Sequence, residues 1–126
     1  MINNINVLII SSDYDLFTRL ALQLKEPVFK VFYARGAGQR LQPIIDQVEP
    51  DLIVIDPEVP TFRGIALSML VRNWSPKPIL MLSAAYTQEN EIRALDMDAE
   101  GYLSQPFDIR LVAIRIDNLL SPSLIG

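Results

Sequence analysis

The sequence predicts an α/β fold: one doubly wound parallel sheet of five strands, in the order 2-1-3-4-5, with five helices. Three observations carry this expectation. Apolar runs of strand length recur five times along the 126 residues. Segments of helix length with 3.6-residue periodicity lie between them. Three of the runs are nearly solid Val, Ile, Leu and Met, as in strands covered on both faces. Strands alternating with helices read as a parallel sheet with helices on both sides.

The first strand is "INVLII" (5–10) and runs into Ser11-Ser12-Asp13. The helix after it sets Leu16, Leu20 and Leu24 on one face, with Phe17 and Ala21 beside them. "VFKVFYA" (28–34) is more mixed and fits an edge strand. The second helix, around Leu41, Ile44, Ile45 and Val48, contains Pro43. A proline is tolerated only in a helix's first turn, so this helix must begin close to it. "DLIVID" (51–56) is the third strand. Ile65, Leu67, Met69, Leu70 and Val71 form the apolar stripe of the third helix, which ends near Trp74. That lone tryptophan reads as a packing anchor. "PILMLS" (78–83) is the fourth strand. In the fourth helix Ile92 and Leu95 are expected to face inward. "GYLS" (101–104) is the fifth strand, and Val112, Ile116, Leu119 and Leu120 mark the inner face of the last helix. The whole fits the flavodoxin-like order, in which ligands bind at the carboxyl ends of the central strands. Ser11-Ser12-Asp13, Asp56 and Ser83 should meet there. Residues 1–120 form one domain in this reading, and 121–126 ("SPSLIG") begin a linker or tail.

Composition narrows the chemistry. Half of the residues are hydrophobic, which excludes a disordered chain. No apolar run reaches membrane-spanning length, and "MINNIN" lacks the cationic opening of a signal peptide. The absence of cysteine removes disulfides and thiolate metal sites, and a cytoplasmic setting is expected. The absence of histidine removes the commonest general base and zinc ligand. A net charge of −4 argues against nucleic-acid binding through this domain.

"DLIVIDPEVPTFRG", "PILMLSA" and "AEGYLSQPF" together resemble the receiver domain of two-component response regulators, over roughly Asn6 to Leu120. The resemblance implies a phosphoacceptor at Asp56, with Pro60 and Gly64 at the family's offsets. It implies a switch hydroxyl at Ser83, followed by Ala84, and a switch aromatic at Tyr102. Pro106 takes the position of a proline usually preceded by a cis bond. The departures are as informative. Where the family has two adjacent acids that hold Mg²⁺, this chain has Ser11 and Ser12. Where it has a lysine beside the acceptor, this chain has Gln105.

Phosphoryl transfer to a carboxylate brings negative charge toward negative charge. It relies on positioning and on cations that offset that charge. Mg²⁺ takes oxygen ligands, usually including one or two carboxylates. Serine hydroxyls are neutral, and Gln105 donates a hydrogen bond without charge. Loss of a single oxyanion donor commonly costs about 3 kcal/mol of barrier. Rapid autophosphorylation is therefore expected to be lost, with no cofactor bound. A shifted Mg²⁺ site built from Asp13, Asp56 and Glu58 is the alternative if the pocket is still active.

Several of these residues also have plainer readings. Ser12 and Asp15 form an S-x-x-D capping box ahead of the first helix. The plainer reading of Asp56 is a strand-end polar group that caps the turn after it. The plainer reading of Ser83 and Tyr102 is a locally bonded hydroxyl and a ring packed against the sheet. Gly36-x-Gly38 lacks the rest of a phosphate-binding loop and reads as an ordinary connection, with Arg35 and Arg40 solvated. Glu100 and Arg115 lie on the face formed by the fourth helix, fifth strand and fifth helix. Many receivers dimerise there, and Asp98 stands where the family prefers Gly.

The expected function is that of a receiver-like, non-enzymatic signalling module. It would act independently of phosphorylation, by protein–protein interaction, on an attached or partner output domain, with a homodimer through that face. The alternative is a working phosphoacceptor, phosphorylated on Asp56 by a histidine kinase. A third reading, a different small ligand, rests on the less anionic crevice made by Ser11, Ser12, Ser83 and Gln105.

Overall fold

The computed structural model describes residues 5–24, 28–35, 40–56, 67–83, 87–96, 98–104 and 108–120. These form β1 (Ile5–Ile10), α1 (Tyr14–Gln23), β2 (Phe29–Ala34), α2 (Leu41–Val48) and β3 (Leu52–Ile55). They continue with α3 (Leu67–Trp74), β4 (Ile79–Ser83), α4 (Gln88–Asp96), β5 (Gly101–Ser104) and α5 (Ile109–Leu120). The five strands are parallel and lie in the order β2-β1-β3-β4-β5. This is the flavodoxin-like topology that the alternating pattern predicts.

Strand periodicity divides the core into two layers. Leu8, Ile10, Ile53, Ile55, Ile79 and Met81 point to one face, where Leu41, Ile45, Val71 and Ala94 of α2, α3 and α4 cover them. Val7, Ile9, Leu52, Val54, Leu80 and Leu82 point to the other, under Leu16, Leu20, Val112 and Ile116 of α1 and α5. Each fully buried aliphatic side chain contributes roughly 1.5–3 kcal/mol over its exposed state. That is why β1, β3 and β4 take the centre, while β2 and β5 lie at the edges. Leu119 and Leu120 pack at the margin of the α1–α5 layer, and Trp74 packs against the opposite one.

Pro43 is the third residue of α2, within the first turn, where its missing N–H costs nothing. The other end of α2 is secured from β1. Asn6 Nδ2 donates to Val48 O at 2.9 Å, and Glu49 takes a left-handed conformation (φ 50°). Asn6 and Asp51 also exchange two bonds, Asn6 N–H to Asp51 Oδ2 at 2.8 Å and Asp51 N–H to Asn6 O at 2.7 Å. These set the register of β1 against β3.

One expectation fails in α4. Ile92 and Leu95 do not face inward: they are 50% and 71% exposed. Among the described residues, the buried side chains of α4 are Asn90 and Ala94, four residues apart. Ala94 belongs to the core layer that Tyr102 of β5 also packs against. Among the described residues, no helix is long and apolar enough to cross a membrane.

Candidate functional site

The carboxyl ends of β1, β3 and β4 bring Ser11, Asp56 and Ser83 to one edge of the sheet. Ile10 pairs with Ile55 and Ile55 with Met81, so Ser11 and Asp56 emerge side by side, and Ser83 ends β4 two residues beyond Met81. The Asp56 N–H donates to Ile10 O at 3.0 Å, which carries the β1–β3 ladder up to the carboxylate. The chain leaves β1 for β2 in one direction, while β3 and β4 lie in the other. This reversal opens the crevice in which Asp56 sits, half-buried. Pro60, Gly64, Glu58, Ala84, Gln105, Pro106 and the Gly36–Gly38 pair lie outside the described residues.

The corner after β1 is closed on itself. Ser11 is buried, and its N–H donates to Ala34 O at 3.1 Å. Its Oγ accepts the Asp13 N–H at 3.0 Å, and its carbonyl accepts the Tyr33 hydroxyl at 2.7 Å. The Asp13 carboxylate accepts the Leu16 N–H at 3.2 Å. Asp13 is thus the N-cap of α1, with extended backbone (φ −97°, ψ 94°) and a side chain that satisfies an orphan donor of the first turn. This corrects the expected capping box. Ser12 is not the cap but an exposed turn residue, and Asp15 is an ordinary acidic residue of the first turn.

Tyr33 was not singled out by the sequence. It comes from the edge strand β2 and packs with Tyr14 and Phe17, its ring centroid 5.2 and 5.0 Å from theirs. Burial pushes its phenol pKa up, and the Arg35 guanidinium opposes the shift. A protonated phenol keeps donating to the Ser11 carbonyl. The only sequence signal was an aromatic at the last-but-one position of an edge strand, and it does not distinguish packing from this tether.

At the end of β4, Ser83 is buried and its Oγ accepts a hydrogen bond from Asn90 Nδ2 at 3.2 Å. Asn90 belongs to the first turn of α4, which Thr87 caps by accepting the Asn90 N–H on its Oγ1 at 3.0 Å. The T-x-x-N spacing was a legible capping signal; the inward direction of the amide was not. On β5, Tyr102 faces the same layer as Ser83, with its hydroxyl oxygen buried.

Glu100 and Arg115 are not arranged as a matched pair of surface charges. Glu100 binds Arg72 of α3, at 3.1 Å, and accepts the Ile79 N–H at 2.6 Å. Arg72 also donates to Lys77 O and Asp98 O, both at 3.1 Å. Glu100 therefore clamps the opposite end of the sheet, where Asp98 takes a left-handed turn (φ 52°). Arg115 is exposed on α5 and lies over Gly101, where an added Cβ would come within 3.8 Å of its Nη1. Such a Cβ would also stand 2.8 Å from Leu80 Cδ1, so a side chain at the start of β5 would make Leu80 shift. Among the described residues, no group of three or more His, Cys, Asp or Glu side chains is placed to hold a metal ion.

A family model described as the response regulator receiver domain matches residues 7–117. The KDP operon transcriptional regulatory protein KdpE of Escherichia coli is 33% identical over 111 residues, which are 88% of this chain and 49% of that protein. The transcriptional regulatory protein CpxR of Escherichia coli is 28% identical over 93% of this chain and 50% of its own length. The chain thus spans about half the length of these curated relatives. Among solved structures, the receiver domain of the Francisella response regulator 1452 superposes with a TM-score of 0.76 at 29% identity, covering 93% of this chain and 97% of that one. A two-component response regulator from Clostridium difficile gives a TM-score of 0.80 at 21% identity, covering 93% and 96%, and shares the fold. With strand order, crevice and family match in agreement, this chain belongs to the response regulator receiver domain family.

Proposed function

We propose that this receiver is a degenerate, phosphorylation-independent module that works by protein–protein interaction and not as an enzyme. Receiver domains in general bind Mg²⁺ at the phosphorylation site, and the donor set here fits that ion poorly. Ser11 and Ser12 stand where two acids would, and Gln105 brings no charge to the lysine position. The carrying observation is the closed corner. The Ser11 hydroxyl and the Asp13 carboxylate both accept backbone N–H groups of the β1–α1 turn. Recruiting Asp13 to a cation would uncap α1, at a cost of about 1 kcal/mol. No step through Mg²⁺ is expected to be needed for this chain.

The surface for interaction is the α4–β5–α5 face. Ile92 and Leu95 on α4 and Leu111 and Ile114 on α5 are each at least half exposed. Leu103, Leu111, Ile114 and Arg115 line a groove between β5 and α5. Exposed apolar residues on neighbouring elements favour association over solvation. We infer a homodimer through this face, in which Arg115 contributes but Glu100 does not, because Arg72 already holds it. Residues 121–126 would begin a linker to an output domain, consistent with relatives named as transcriptional regulators and twice as long. A cytoplasmic location, with no nucleic-acid contact through this domain, completes the reading.

Asp56 itself favours a second reading, phosphorylation by a histidine kinase, since it stands at the family's acceptor position on the crevice. Incubation with acetyl phosphate and Mg²⁺, followed by intact mass, separates the two. The proposal expects unmodified protein. Stoichiometric addition of one phosphoryl group, lost in Asp56→Asn, would establish the second reading.

A further inference from the structure

We infer that the open edge of β2 is an interface for a second copy of this chain, joined strand to strand in antiparallel register about Val31. Among the described residues β2 pairs with β1 alone, and it ends the sheet. The ladder fixes which backbone groups face outward. Ile5 N–H donates to Val28 O at 2.7 Å and Ser11 N–H to Ala34 O at 3.1 Å, so the even-numbered residues of this stretch bond to β1. Successive residues of a strand turn their N–H and C=O to opposite sides. Phe29, Val31 and Tyr33 therefore present three donors and three acceptors along the free edge. Proteins commonly blunt such an edge with prolines, bulges, short length or several charges. β2 does little of this. Its six residues pair in unbroken register, and "FKVFYA" carries one charge, at Lys30. The other edge strand, β5, has four residues.

The edge is complementary to itself. A two-fold axis through Val31 sets Val31 against Val31, and Phe29 of each copy against Tyr33 of the other. Each of these is a hydrogen-bonded antiparallel pair, so every outward donor meets an acceptor. Such an isologous contact closes as a dimer. Lys30 falls opposite Phe32 of the second copy, so the two ammonium groups do not confront each other. Phe29, Val31 and Tyr33, all half-buried, line the contact on the α1 side of the sheet. Tyr14, 59% exposed, stands edge-on to Tyr33 at 5.2 Å and extends the aromatic patch toward Phe29 of the second copy. Backbone bonds supply affinity in strand addition, and cross-strand aromatic pairs add to it. This contact lies at the opposite end of the sheet from β5 and is independent of the α4–β5–α5 face.

Disulfide trapping of the full chain tests this, because the chain has no native cysteine. Facing residues of a hydrogen-bonded pair have Cα atoms about 5.5 Å apart, within disulfide reach. Val31→Cys is therefore expected to cross-link to a dimer under mild oxidation. In Lys30→Cys the two thiols are offset diagonally by about 7–8 Å, beyond that reach. Lys30 is the more exposed of the two, so random collision would favour Lys30→Cys, whereas the interface makes Val31→Cys several times faster. In a Leu95→Asp background, which disfavours contact through α4, sedimentation should still show a dimer. Its dissociation constant should rise about tenfold or more in Val31→Pro. Proline there removes an N–H that β1 does not use, and symmetry removes two intermolecular hydrogen bonds at once. Three results would overturn the proposal: Lys30→Cys cross-linking as fast as Val31→Cys, a Leu95→Asp protein that stays monomeric at every soluble concentration, or an unchanged dissociation constant in folded Val31→Pro. Should Val31→Pro fail to fold, the two cysteine variants still decide the matter.

Discussion

Asp13 separates a structural corner from a metal site, and two substitutions do so quantitatively. In the structure its carboxylate accepts the Leu16 N–H at 3.2 Å as the N-cap of α1. Asp13→Ala removes that acceptor and should cost about 1 kcal/mol, the usual loss at an N-cap. For a domain of this size the melting temperature would fall by about 3–5 °C. Asp13→Asn keeps a capping oxygen and gives up only the charge at the positive end of the helix dipole. Its cost should be smaller, about 0.3–0.5 kcal/mol. Neither loss should depend on Mg²⁺. If Asp13 were a ligand with a dissociation constant near 1 mM, about 10 mM Mg²⁺ would stabilise the wild-type protein by about 1.4 kcal/mol. Asp13→Asn would then remove most of that increment. Urea unfolding followed by far-UV circular dichroism, with and without Mg²⁺, measures all of these quantities. A stabilisation by Mg²⁺ that disappears in Asp13→Asn would refute the reasoning.

Three other outcomes follow from the same geometry. Tyr33→Phe deletes the hydroxyl that donates to Ser11 O and should cost about 1 kcal/mol in denaturant unfolding. Because burial raises the Tyr33 pKa, the folded state holds its proton more tightly than the unfolded state does. Stability should therefore be flat below the ordinary tyrosine value of 10.0, fall as pH rises above it, and fall less steeply in Tyr33→Phe. Arg72→Ala leaves Glu100 without its cation and Lys77 O and Asp98 O without their donor, and should cost about 1–3 kcal/mol by urea unfolding. Leu95→Asp, at a site 71% exposed, should change stability by less than about 0.5 kcal/mol. In sedimentation experiments it should weaken self-association by about tenfold or more if α4 lies in the dimer contact.

Strand assignment was legible because a doubly wound sheet writes itself into composition. β1, β3 and β4 are apolar on both faces, and the centre of a doubly covered sheet shields "VLII", "LIVI" and "ILMLS" from water. The position of the site followed from topology, since strand ends beside a reversal of strand order face a common crevice. Helix α4 was misread for a physical reason. Periodicity assigns apolar residues to the core, but Ile92 and Leu95 belong to a face that remains exposed in the single chain, and the buried contact is polar. Capping was misread by one residue. Ser12 and Asp13 are both good N-cap types, and what decides between them is the Ser11 hydroxyl, which accepts the Asp13 N–H and sets where the turn ends. Glu100 looked like a surface charge because its partner, Arg72, lies 28 residues away in sequence and meets it only through the packing of α3 beside β4.

The most direct test of the central claim is a two-dimensional amide NMR spectrum of the ¹⁵N-labelled chain, titrated with Mg²⁺ and beryllofluoride. If the β1–α1 corner is closed and the cation site is lost, the resonances of Ser11, Asp13, Asp56, Ser83 and Asn90 should stay where they are. Saturable shifts that begin at Asp56 and Ser83 and spread to α4, absent in Asp56→Asn, would contradict it.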